Sequence, residues 1–194
     1  MTVNEDSFRL TERQREGRAI NAVAELLRRT LSVPNIYLEP PASVISADVL
    51  AVDRGGAGDL HAVEIKLLDR RAKGPAPKQT SPKEAFISAT LDRARREVIK
   101  GAHRQLMSLP AHFRYLAVPS ENIDPLFEEL SRLGLYAEDG IGRLGIIAIT
   151  ETGTHSPTAE AAFLPERFRV DPAKLKNIET RLFAKSRPDI EVRI

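Results

Sequence analysis

Asp48, Glu64 and Lys66 are the residues in this chain whose types and spacing suit chemistry. They sit on two apolar runs, 46–53 and 59–67, joined by the glycine-rich stretch Arg54-Gly55-Gly56-Ala57-Gly58. Such a pattern predicts a β-hairpin. Facing residues of an antiparallel pair have indices with a constant sum. Setting Asp48 opposite Glu64 centres the hairpin on Gly56, inside the glycine stretch. Facing side chains lie on one side of the sheet, and the two-residue period puts Lys66 there as well. Two carboxylates held together disfavour each other's ionisation unless a cation joins them. A hard divalent ion such as Mg²⁺ takes oxygen ligands, often only one or two carboxylates plus substrate phosphate. Bound there, it polarises a phosphoryl oxygen and acidifies water, and a neighbouring lysine can serve that water. Metal-assisted phosphodiester hydrolysis is the chemistry this set suits.

The elements that must position these residues are legible in outline. Val49, Ala51, Val63, Ile65 and Leu67 fill one face of the hairpin, and Leu50, Val52, Leu60 and Ala62 fill the other. A hairpin apolar on both faces is central, where three charges on one side are unusual. A solvated cross-strand salt bridge is the plain alternative. Upstream, Thr11–Leu31 has helical periodicity, with Thr11 as N-cap and a stripe of Glu16, Ile20, Val23, Leu27 and Leu31. Asn35–Glu39 reads as a short strand, and residues 70–82 as a Lys/Gly/Pro-rich loop. A long helix runs from Pro82 to Leu109, with Phe86, Ile87, Leu91, Val98, Ile99, Ala102, Leu106 and Leu109 as core positions. Phe113–Pro119 is a buried strand, Ile123–Leu133 a helix and Arg143–Thr150 a further strand. Strand, helix, strand implies a parallel crossover after the hairpin. Glu151–Thr158 reads as a polar loop, Asp171-Pro172 starts a helix to about Ala184, and Asp189–Ile194 suits an edge strand.

Asp48, fifteen intervening residues, then Glu64-Ile65-Lys66 resembles the PD-(D/E)xK signature of the restriction-endonuclease-like nucleases. Ala47 stands where that signature usually has proline. The resemblance implies an α/β fold with a restriction-endonuclease-like core: a central mixed sheet of four to six strands flanked by helices, in the order α-β-β-β-α-β-α-β. It gives Asp48 and Glu64 the metal (Mg²⁺ or Mn²⁺) and Lys66 the attacking water. It makes Glu16 a third carboxylate near the metal, the other readings being exposure or compensation of the helix dipole. Gln105 falls where related nucleases carry a polar residue reaching the site; by position alone it is a surface residue. DNA is the implied substrate, with RNA also open, and symmetric cutting of duplex DNA implies a homodimer. The rival function is a nucleic-acid-binding module without catalysis.

Charge agrees with a polyanionic partner. The net charge is only +2, yet residues 66–104 carry eleven Lys and Arg against four Asp and Glu, an excess of seven. Arg70, Arg71, Lys73, Lys78, Arg96, Lys100 and Arg104 are the candidate phosphate contacts. Solvated helix faces with i,i+4 pairs account for charge of this kind too. The four histidines lack metal-ligand spacing. His61 points away from Glu64, while Asp53 and Asp59 serve the turn.

At 194 residues, with 42% hydrophobic and 29% charged, the chain is expected to form one domain over 1–194. Residues 1–10 are expected to be a flexible N-terminus and 151–194 an extension of the same domain. The absence of cysteine excludes disulfides and thiolate zinc sites and suits a reducing cytoplasm. Neither a secretory h-region nor an apolar stretch long enough to span a bilayer is present, so no membrane partner is expected.

Overall fold

The computed structural model describes residues 11–29, 32–33, 35–53, 58–67, 82–132, 144–151 and 156–185, without the side chains of 82–92, 94 and 183–185. Helix α1 (Glu12–Arg29) opens on Thr11, whose Oγ1 accepts the Gln14 N–H while Gln14 Oε1 accepts the Thr11 N–H. This reciprocal cap satisfies donors the first turn leaves orphaned. Strands β1 (Asn35–Leu38), β2 (Val49–Val52) and β3 (Leu60–Ile65) follow. Helix α2 (Pro82–Ser108) leads to β4 (Phe113–Pro119). A 3-10 turn at Ser120–Asn122 and α3 (Ile123–Arg132) lead to β5 (Gly145–Thr150). β6 (Thr158–Phe163) and α4 (Pro172–Lys185) complete the described chain.

The fold is α/β: one six-stranded mixed sheet, ordered β1 to β6 as in sequence, with helices on both faces. Neighbours are antiparallel except β3–β4 and β4–β5. Those two parallel steps run in the same direction across the sheet. Right-handed crossovers then put both connecting helices on one face. Accordingly α2 and α3, joined by α4, cover Leu50, Leu60, Ala62, Leu116 and Ile146. α1 covers the opposite face, packing Ile20, Val23 and Leu27 on Val49, Val63, Ala117 and Ile147. The hairpin faces divide as the alternation predicts, and every residue of β2 and β3 is buried.

Two features differ from expectation. Val98 is 40% exposed, because the α2 stripe that meets the sheet is Ile99, Ala102 and Leu106. Residues 151–158 are not simply a loop: Thr158 already begins β6, paired antiparallel to β5. β6 reads Thr-Ala-Glu-Ala-Ala-Phe, poor in β-branched residues, and it forms because an edge strand needs only one buried side. The tail closes the fold, since Ile178 and Leu182 of α4 enter the α2-side core. Asp171 caps α4, its Oδ1 accepting the Ala173 N–H at 2.9 Å. Leu31, Leu133, residues 1–10 and the strand expected at Asp189–Ile194 lie outside the described residues.

Candidate active site

The hairpin register is Val49 opposite Val63 and Leu50 opposite Ala62, the constant sum expected for the strands, and it ends at Val49. Asp48 lies one residue before β2, and its backbone N–H donates to the Val63 carbonyl at 3.0 Å. Its side chain crosses to β3, where Oδ2 accepts the Ile65 N–H at 2.6 Å. Asp48 therefore fixes the register as well as supplying a carboxylate.

Glu64 projects on the face shared by Leu60 and Ala62, beneath α2, and is 3% exposed. Lys66 follows on the same side and donates from Nζ to Glu64 Oε1 at 2.5 Å. Its backbone N–H donates to the Ala117 carbonyl of β4 at 2.9 Å. Gln105, far from being a surface residue, is half-buried and donates from Nε2 to Glu64 Oε2 at 2.7 Å. The same Nε2 reaches the Ser46 carbonyl at 3.1 Å and Ser46 Oγ at 3.2 Å. Gln105 thus links α2 to Glu64 of β3 and to Ser46, two residues before Asp48. Ser46 had no signal in the sequence beyond its place beside the motif.

Burial holds Glu64 above the ordinary carboxylate range; the Lys66 hydrogen bond opposes this, while Asp48 and Glu16 add repulsion. Burial outweighs the ion pair with Lys66, so the ionised form of Glu64 is disfavoured. Glu16 is exposed, one turn ahead of the first buried residues of α1, because the stripe enters the core only from Ala19. It acts on Glu64 through space. Its neighbour Arg15 makes the specific contact, a half-buried pair with Glu151 at 3.3 Å beyond the end of β5.

The donor set fits a hard divalent ion: two carboxylates, one of them buried, in a chain without cysteine. Among the described residues no three His, Asp or Glu side chains gather closely enough to hold a metal by themselves. Two carboxylates with water and substrate oxygens completing the shell is the arrangement Mg²⁺ commonly takes.

Arg96 and Lys100 are half-buried on α2 and Arg104 is exposed; Lys100 pairs with Glu97 at 3.2 Å. Arg70, Arg71, Lys73 and Lys78 lie outside the described residues. His61 faces α1, stacked on Phe113 at 4.7 Å with Nδ1 3.3 Å from Tyr115 Oη, and burial lowers its pKa to about 4. Asp59 does more than serve the turn. Arg167 chelates it at 2.7 and 3.2 Å, and His112 Nδ1 lies 3.5 Å away, accepting the Leu60 N–H at 3.0 Å. These contacts tie the far end of the hairpin to the segment after β6.

No protein-family model, curated protein or solved structure matches this chain. Among the described residues no helix is long and apolar enough to cross a membrane.

Proposed function

We propose that this protein is a metal-dependent nuclease that hydrolyses phosphodiester bonds of DNA, on a restriction-endonuclease-like arrangement of the sheet. The observation carrying the reading is the buried Glu64 carboxylate, shared between Lys66 and Gln105, with the Asp48 carboxylate near enough to repel it. Asp48 and Glu64 would hold Mg²⁺ or Mn²⁺. When bound, the ion supplies Lewis-acid polarisation of a phosphoryl oxygen and a more acidic water. Glu64 holds Lys66 at the site before substrate arrives, so the ammonium is poised to orient the attacking water or to offset charge on the phosphate. Gln105 fixes the second oxygen of Glu64, limiting the carboxylate's rotation. The cations of 66–104 hold the strand's phosphates. A homodimer would bring two such sites to one duplex.

A second reading is favoured by one contact: both Glu64 oxygens already have partners, as in a closed salt-bridged cluster that binds nucleic acid without cutting it. Incubation with supercoiled, linear and single-stranded DNA and with RNA, with and without chelator, separates the two. The nuclease reading expects cleavage that chelator stops and that Asp48→Asn and Lys66→Ala each reduce at least about 100-fold. Asparagine is preferred to alanine at 48 because it retains an acceptor for Ile65, so stability and activity are read separately. Absence of cleavage with Mg²⁺ or Mn²⁺ on every substrate would leave the binding module.

A further inference from the structure

A cavity of about 250 Å³ lies between α2 and the start of α3, lined by Arg95, Arg96, Ile99, Asn122, Leu126 and Glu129 among others. Asn122 ends the 3-10 turn that leaves the carboxyl end of β4. Its Nδ2 is buried and has no hydrogen-bond partner among the described residues. A buried donor without a protein partner is costly unless an acceptor from solvent or a ligand reaches it, and the cavity gives either one access. The Glu129 carboxylate is already engaged by Arg132 at 2.5 Å and 3.1 Å. That hydrogen bond lowers its pKa, and Arg96 and Lys100 act on it in the same direction. Two arginines, a neutralised carboxylate and an unpaired amide suit an oxyanion, and Ile99 and Leu126 give the cavity a dry floor.

The cavity and the candidate active site share one helix. α2 ends just before β4 begins and packs back along that strand, so its earlier residues reach the strand's carboxyl end. Arg96 precedes Gln105 by nine residues, roughly 14 Å along the axis at ~1.5 Å per residue. One strand of duplex DNA advances ~3.4 Å per nucleotide along its axis, so that span is at most about four nucleotides. We infer that this cavity is a phosphate subsite, holding the polynucleotide within a few nucleotides of the bond being cut. Asn122, Arg95 and Arg96 are its positioning residues. The identity of the ligand rests on the nuclease reading, but binding can be tested without cleavage.

The test is fluorescence anisotropy of a labelled duplex with the full chain in EDTA. Asn122→Leu removes an unpaired buried amide, so the melting temperature rises or holds while affinity falls about tenfold. Asn122→Asp gives the same loss by repulsion if the leucine variant does not fold. Arg96→Ala lowers the salt slope of binding by about 1. In Mg²⁺, Asn122→Leu raises KM by the same factor and leaves kcat unchanged. Unchanged affinity in a folded Asn122 variant would overturn the subsite. Inorganic phosphate that raises the wild-type melting temperature but does not compete with DNA would assign the cavity to free phosphate and overturn it equally. The two readings fail separately: variants that lose affinity in a protein that never cuts retain the subsite alone. Cleavage dependent on Asp48 and Lys66 with Asn122 neutral retains the nuclease alone.

Discussion

Glu64 and His61 are three residues apart on β3, face opposite layers of the molecule, and respond to burial in opposite ways. The folded pKa of Glu64 is raised, so between its unfolded and folded values the native state binds more protons than the unfolded chain. Stability is then lost as pH rises through that window, and ionised Glu64 is a standing cost near neutrality. Glu64→Gln is expected to melt higher than wild type at pH 7 in EDTA, with the gap closing as pH falls below the usual carboxylate range. Mg²⁺ is expected to raise the wild-type melt but not the variant's, by about 2.7 kcal/mol at one hundred times Kd. For His61 the sign reverses. Its folded pKa of about 4 lies under the ordinary value of 6.5, so stability is whole above 6.5 and lost as pH falls toward 4. The loss is at most about 3 kcal/mol. His61→Phe, which preserves the stack on Phe113, is expected to remove most of that acid dependence in urea melts followed across pH.

At the level of the elements, the hairpin was the most legible part of the sequence. Apolar residues on both faces and central glycines mark a central hairpin, and a slip of one residue would turn Glu64 to the opposite face. Elements with a sharp start, such as α1 at Thr11 and α4 at Asp171, were legible for the same local reason. β6 was not, because Ala and Glu favour helix and its pairing with β5 comes from tertiary contact. Nor could periodicity tell which of Val98 and Ile99 meets the sheet. The role of Gln105 at Glu64 depends on how α2 lies across the hairpin, which no local pattern encodes. β5 adds a constraint of its own. A Cβ on Gly145 would lie 2.5 Å from the Tyr115 ring and 2.8 Å from Pro165. Tyr115 is buried and cannot swing away, so Gly145→Ala is expected to cost about 1–3 kcal/mol, measured as a lower denaturant midpoint.

For the whole molecule, a net charge of +2 conceals a basic segment that runs from the motif lysine along α2. DNA affinity is therefore expected to fall with salt at a log–log slope of about −4 or steeper, the signature of four or more neutralised phosphates. A flat salt response, measured by anisotropy in EDTA, would remove the nucleic-acid reading altogether. The order of elements made the mixed sheet legible before its geometry was known, because two strand–helix–strand steps admit few arrangements. Links between distant segments were not legible. Arg15 with Glu151 and Arg167 with Asp59 join residues more than a hundred positions apart, and neither partner announces the other in sequence.

The two rims of the sheet carry a consequence for self-association. β1 is four residues long and is followed by Glu39 at a φ of +44°, while β6 turns Glu160 outward at mid-strand. A short border that bends away and one bearing an ionised side chain are both poor templates for a neighbouring chain's backbone. Two copies meeting on one duplex would thus not join sheet to sheet along β1 or β6, and loss of their contact would leave each copy's hairpin and its acids intact.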